Sequence, residues 1–368
     1  MVILCFGCSS SPISPVAVPT NTPKKALVIT SEITPNVQPT PLSPCDNQAT
    51  SSAIVPIYQN SRVYQIPLEA GRISFSSDSE KVFLNTPKGI YVLNANDAQL
   101  ICVIPNESSS AYGMAISQNG SFLAFIDIYG KITLIDANNG MVLREMRTAL
   151  YESQRYESQS LNWVELSDDG SLLLSSGYFQ PVTVWDTKSG QVVLETLGYH
   201  AAISPDGKFL ALRGSNYIQI IDIEYREALI TKVDDNKEQY FLNLLFSRDG
   251  NYLYGLNVNS EIKVWDVHTG EIVQTINPYT NRPCLDSPCT GGWEVESPRI
   301  TLSADGSKLL LVDPSQIILW NTQTWEKIMS ENNSDNSPLF DASISPDGKK
   351  IIVTFEGNEP IRFFYLDQ

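Results

Sequence analysis

From Val63 onward, short apolar runs alternate with a recurring polar tetrapeptide. The runs are a few residues long and rich in Val, Ile, Leu and Phe, which is the length and make-up of strands rather than helices. The tetrapeptides are Ser76-Ser77-Asp78-Ser79, Ser117-Gln118-Asn119-Gly120, Ser167-Asp168-Asp169-Gly170, Ser204-Pro205-Asp206-Gly207, Ser247-Arg248-Asp249-Gly250, Ser303-Ala304-Asp305-Gly306 and Ser345-Pro346-Asp347-Gly348. Asp-Gly and Asn-Gly supply the positive φ values that a tight hairpin demands, so each tetrapeptide is expected to turn one strand into the next. Neither the spacing nor a closing Glu suits an EF-hand calcium loop.

The fourth positions, 79, 120, 170, 207, 250, 306 and 348, advance by 41, 50, 37, 43, 56 and 42 residues. That is the period of a four-stranded propeller blade. The expected fold is therefore all-β: a seven-bladed β-propeller of four-stranded antiparallel blades over residues 58–368. The seventh repeat stops after its third strand. Arg62–Leu68, ahead of the first repeat, resembles other fourth strands such as Gln191–Leu197, and is expected to finish the last blade and remove the open edges that invite aggregation.

The third strands end on a shared pattern: Val182-Thr183-Val184-Trp185-Asp186, Ile262-Lys263-Val264-Trp265-Asp266 and Ile317-Ile318-Leu319-Trp320-Asn321, with Ile90–Asn94, Ile132–Asp136, Ile218–Asp222 and Ile361–Tyr365 in the same place. Over about Val63 to Gln368 the chain thereby resembles the WD-repeat family, whose blades carry Trp-Asp there and Ser-Pro-Asp-Gly turns. It departs from that family in its buried hydrogen-bond tetrad. The Gly-His pair is missing, and the position six before the Trp holds Phe179, Asn259 and Pro314. The likeness is to a divergent bacterial propeller of the Tol periplasmic type, held by apolar packing.

The N-terminus is of a different kind. Residues 1–7 are apolar and run into Cys8 and three serines, which resembles the end of a bacterial lipoprotein signal, with Cys8 as the lipidation site. The match is partial: Cys5 fills the place that the pattern gives to Leu4, and no basic region precedes it. A cytoplasmic start is the alternative. Residues 9–57 are rich in Pro, Ser and Thr and poor in aromatics; such a segment cannot bury enough apolar surface to offset its conformational entropy, and is expected to be a disordered tether. No later stretch approaches the roughly 20 apolar residues of a membrane-spanning helix. The expected location is extracytoplasmic, in the cell envelope, lipid-anchored or secreted, with a monomeric head.

Composition narrows the partners. With 41 acidic and 25 basic residues the net charge is −16, which repels nucleic acid and anionic lipid and confines any membrane contact to the anchor. Beyond Cys5 and Cys8 lie Cys45, Cys102, Cys284 and Cys289. In an exported chain these form two disulfides, most simply Cys284 with Cys289 and Cys45 with Cys102. A zinc site would want C-x-x-C spacing, which they lack.

In this strand order, the connections from each fourth strand to the next first strand emerge on one face. The two longest, residues 148–162 and 277–298, carry Tyr151, Arg155, Tyr156, Tyr279, Arg282 and Trp293, residue types that anchor protein contacts. The residues opening the first strands, Arg72, Gly113, Trp163, His200, Asn243, Arg299 and Asp341, are expected to ring the mouth of the central channel. Glu165, inside an apolar first strand, is the carboxylate expected to have a shifted pKa. No nucleophile with a base, metal-ligand cluster or phosphate loop is present in the sequence. The expected function is a non-catalytic module binding a protein or peptide partner without a cofactor. The alternative is a metal-dependent hydrolase or lactonase-like propeller using Glu165, Asn243 and Asp341 at the channel.

Overall fold

The computed structural model describes residues 54–58, 61–64, 71–86, 89–105, 111–127, 129–148, 163–177, 181–214, 217–233, 241–257, 260–278, 299–313, 316–332, 339–355 and 361–366. All regular structure among them is β-strand, arranged in seven antiparallel sheets. Blade one comprises Ile73–Phe75, Lys81–Thr86, Gly89–Asn94 and Leu100–Ile104; blade two, Ala111–Ile116, Phe122–Asp127, Lys131–Asp136 and Val142–Arg147. Blade three comprises Trp163–Leu166, Leu172–Ser176, Val182–Asp186 and Val192–Thr196; blade four, His200–Ile203, Phe209–Arg213, Tyr217–Asp222 and Glu227–Val233. Blade five comprises Phe241–Phe246, Tyr252–Asn257, Ile262–Asp266 and Ile272–Ile276; blade six, Arg299–Leu302, Lys308–Asp313, Gln316–Asn321 and Lys327–Asn332. Blade seven takes Leu339–Ile344, Lys350–Phe355 and Ile361–Tyr365 from the C-terminal end, and its fourth strand, Ser61–Tyr64, from the N-terminal side.

The seven tetrapeptides form seven equivalent turns. In each, the Ser hydroxyl meets the side-chain oxygen of the Asp or Asn two residues on, at 2.5–2.8 Å. The fourth residue lies at φ between 62° and 73°, and in blade one that residue is Ser79 rather than Gly. A second turn, between the third and fourth strands, repeats as regularly in blades one to six. The Asp or Asn ending the third strand is followed four residues later by a left-handed residue: Ala98, Gly140, Gly190, Arg226, Gly270 and Trp325. In blades three and five the acid holds this loop by accepting backbone N–H groups, as Asp186 does from Ser189 and Asp266 from His268 and Thr269.

Packing follows from these registers. Second and third strands are buried on both faces and read as continuous apolar runs, such as Leu309–Leu311 and Ile317–Trp320, whereas fourth strands expose much of their surface. The buried side chains fall into seven clusters, one per pair of neighbouring blades. Leu174, Val182 and Val184 of blade three, for example, meet Ala201, Ile203 and Leu210 of blade four. Ile352, Ile361 and Phe363 of blade seven meet Ile73, Val82 and Leu84 of blade one. The first strands contact their neighbours around the whole circle, so the ring is closed. Flat apolar faces buried against each other supply the stabilisation, at about 25 cal/mol per Å² of apolar surface.

Closure takes the expected form over residues 62–64; residues 65–68 of the expected strand lie outside the described residues. Ser61–Tyr64 pairs antiparallel with Ile361–Phe364, from Ser61 opposite Phe364 to Tyr64 opposite Ile361. The sheet then carries a fifth, outermost strand, Ile54–Tyr58, paired with Ser61–Tyr64. The tether boundary at residue 57 is corrected accordingly, because residues 54–57 belong to the sheet. Residues 9–53 lie outside the described residues.

The tryptophans show what replaces the tetrad. Trp185 donates its indole N–H to Ser175 Oγ at 2.9 Å. In blade five the position equivalent to Ser175 is Gly255, and a Cβ there would stand 2.6 Å from the Trp265 ring. In blade six it is Leu311, packed in the cluster that holds Trp320.

Candidate functional site

The ring residues occupy one register. Each lies four residues before its turn Ser, and six of the seven stand opposite a residue 13 positions on in the second strand: Gly113 opposite Ile126, Trp163 opposite Ser176, His200 opposite Arg213, Asn243 opposite Leu256, Arg299 opposite Val312 and Asp341 opposite Thr354. In blade one, Arg72 is bridged to Asn85 by a backbone hydrogen bond at 2.8 Å. Since all strands are antiparallel, this level shares its end of the ring with the connections from fourth to first strands. The seven hairpin turns occupy the opposite end.

Several ring side chains fasten one blade to the next. Asp341 Oδ2 accepts the Ile73 N–H at 3.2 Å, Asn243 Oδ1 accepts the Ile300 N–H at 3.2 Å, and one turn deeper Glu165 Oε2 accepts the Ile203 N–H at 3.2 Å. Asp341 Oδ1 also takes Arg299 Nη1 at 3.2 Å and Arg72 Nη1 at 3.6 Å. Burial pushes the Asp341 carboxyl up, and the Arg299 guanidinium pulls against it. The three residues named for a hydrolase thus each hold a neighbouring backbone.

Glu165 has the shifted pKa expected of it. Its side chain keeps only partial exposure on an inner strand, and desolvation pushes its carboxyl up to about 8; the Ile203 N–H and Arg248 oppose this, and Asp168 adds to it. Below it, Arg248 of blade five reaches past blade four to Asp168 of blade three at 3.3 Å, and toward the Ser303 carbonyl of blade six at 3.4 Å.

Between blades three and four the mouth has a different character. The Trp163 and His200 rings stand 5.7 Å apart at 43°. Trp163 Nε1, Ser176 Oγ and His200 Nδ1 are all buried and have no hydrogen-bond partner among the described residues. Leaving such atoms unpaired costs roughly 1–3 kcal/mol each. Burial, then the Arg213 cation, hold the His200 imidazole down to about 3, so it is neutral. Arg213 lies over the Tyr199 ring at 5.2 Å and donates to the Phe241 carbonyl of blade five.

Ser176, Arg213, Asp168 and Arg248 were not among the expected site residues. The constant 13-residue offset across each hairpin is the signal that reaches Ser176 and Arg213 from Trp163 and His200. Tyr151, Arg155, Tyr156, Tyr279, Arg282, Trp293 and Cys8 lie outside the described residues. Among the described residues no group of three His, Cys, Asp or Glu side chains is placed to hold a metal ion.

The turn end is closed off by hydrogen bonds between blades. Arg144 bonds the carbonyls of Thr187 and Lys188, Lys308 that of Gly348, and Lys350 that of Ser79; Tyr365 donates to the Asn96 carbonyl.

No family model matches the chain. A stretch of 107 residues is 27% identical to the target of rapamycin complex subunit wat1 of Schizosaccharomyces pombe, spanning 27% of this chain and 34% of that protein. The chain thus spans about a third of the length of this curated relative. In three dimensions it is similar to the crystal structure of the Myceliophteria thermophila Cps50 (Swd1) β-propeller domain, with a TM-score of 0.67 at 12% identity, covering 83% of this chain and all of that domain. The fold is that of a WD-repeat-like seven-bladed β-propeller.

Proposed function

We propose that this chain is a non-catalytic interaction module that binds a protein or peptide partner on the face where the first strands begin. The asymmetry between the two ends of the ring carries this reading. Both ends commit polar groups to neighbouring blades, but at the mouth end the part-exposed Trp163 and His200 keep polar atoms with no hydrogen-bond partner among the described residues, and Trp163 directly follows one of the two longest connections. Aromatic and Arg side chains on a rigid scaffold are the groups that dominate protein contacts. The wat1 relative, a complex subunit by name, agrees with a protein partner.

The same reading places the module outside the cytoplasm as a monomer, tethered through a lipid on Cys8. Its support is the cysteine before the Pro/Ser/Thr-rich segment and Cys102, which is buried and disulfide-bonded; the pairing we infer is with Cys45, in an oxidising compartment. Cys8→Ser should abolish fatty-acid labelling and release the protein from membranes.

Capture of partners from native envelopes tests the central claim. Trp293→Ala and Tyr156→Ala should each lower recovery of a specific partner at least tenfold with the melting temperature unchanged. Stoichiometric divalent metal together with turnover in a hydrolase screen would favour the enzyme reading instead.

A further inference from the structure

We propose that the recess formed by Trp163, Ser176 and His200 at the mouth between blades three and four binds a carboxylate of the partner. This rests on the reading that the mouth face is the binding face, and adds the chemistry of the bound group. Trp163 and Ser176 are directly opposed across the first hairpin of blade three, so their side chains leave the same face of that sheet. This is the face from which Glu165 reaches the backbone of blade four. His200 opens the facing strand, with its ring against Trp163.

The three polar atoms are buried and unpartnered, although Trp163 and His200 both keep part of their surface exposed. None of these atoms gives up a hydrogen bond among the described residues if its side chain turns toward an arriving group. The indole N–H can only donate and the serine hydroxyl readily donates, while the neutral imidazole donates through Nδ1 in one of its tautomers. The indole N–H needs an acceptor and the other two can also be met by one, so a ligand presenting acceptors can satisfy all three.

Charge selects among acceptors. Arg213 stands directly opposite His200 across its hairpin and is close enough to act on the imidazole, while the Asp341 carboxylate is taken by Arg72 and Arg299. A carboxylate has enough lone pairs to take two or more of these donors at once, and is drawn by the Arg213 guanidinium where a neutral amide is not.

The test follows the Trp163 indole N–H resonance, assigned with Trp163→Phe, in the full-length 15N-labelled protein. The probes are N-acetyl-Gly-Glu-Gly-amide, N-acetyl-triglycine and N-acetyl-Gly-Gln-Gly-amide. The resonance should move with the first two, which separate a side-chain from a C-terminal carboxylate, and the Gln probe should bind at least tenfold more weakly. Ser176→Ala, a smaller change that keeps the fold if Trp163→Phe does not, should weaken carboxylate binding about fivefold. An indole resonance that ignores every probe, as in a recess holding ordered water only, overturns the proposal, as does equal binding of the Glu and Gln probes. If the probes fail while Tyr156→Ala and Trp293→Ala still abolish partner capture, the recess is wrong and the face is right. If capture survives those loop variants, the face reading itself falls.

Discussion

Two ionisable side chains on the inner strands bear on stability in opposite directions. Glu165 has its pKa raised to about 8 from 4.5, so between these values the folded chain keeps a proton that the unfolded chain loses, and stability falls as pH rises. His200 is held down to about 3 from 6.5. Below pH 6.5 the unfolded chain gains a proton that the folded one refuses, and stability falls as pH drops. The effects overlap between pH 4.5 and 6.5, but from 6.5 to 8 only Glu165 acts. Glu165→Gln keeps an acceptor for the Ile203 N–H, and should flatten the decline in urea midpoint that the natural chain shows over pH 6.5–8. His200→Phe should reduce the loss on acidification below pH 6.5 relative to the natural chain. The position of Glu165 in an apolar strand made its shift legible in the sequence. That it fastens two blades was not legible, because its partner is the backbone of Ile203, 38 residues away.

Among the elements, the hairpins were the most legible. A Ser, an Asx two residues on and a left-handed residue after it define the turn locally, so seven copies reveal themselves without tertiary information. The Trp-bearing third strands are less self-contained. Whether such a Trp hydrogen-bonds or packs depends on the second-strand residue diagonal to it, which is Ser175 in blade three and Gly255 in blade five. Gly255→Ala places a methyl 2.6 Å from the Trp265 ring and 2.9 Å from Phe241. It should cost about 1–3 kcal/mol by overpacking, read as a lowered melting temperature, while Ser175→Ala should cost about 1 kcal/mol for the lost bond. The outermost strand escaped the sequence reading for a reason of the same kind. Pro56 suits a tether, yet it is tolerated in an edge strand where its missing N–H breaks no ladder, and the pairing is irregular between Val55 and Tyr58.

For the molecule as a whole, the seven repeats announced the ring, and the incomplete seventh announced how it closes. Which mouth residues are spent on holding blades and which are left to meet a partner was not readable, since Asp341 and Arg72 come together only when blades seven and one touch. Removing residues 1–64 takes away the fourth strand of blade seven and exposes the edge Ile361–Tyr365. The truncated chain should melt at a markedly lower temperature in one cooperative transition and aggregate more readily; an unchanged melting curve would refute the closing role of Ser61–Tyr64.

That closing strand also sets an order of events. Residues 61–64 leave the ribosome before any blade exists, yet their partners at 361–364 are made roughly three hundred residues later. Bringing such distant segments together costs about 3 kcal/mol more loop entropy than closing a single hairpin. During synthesis the closing strand therefore waits, with only Ile54–Tyr58 to pair with, for the last one, and the circle can only snap shut once translation has delivered both ends.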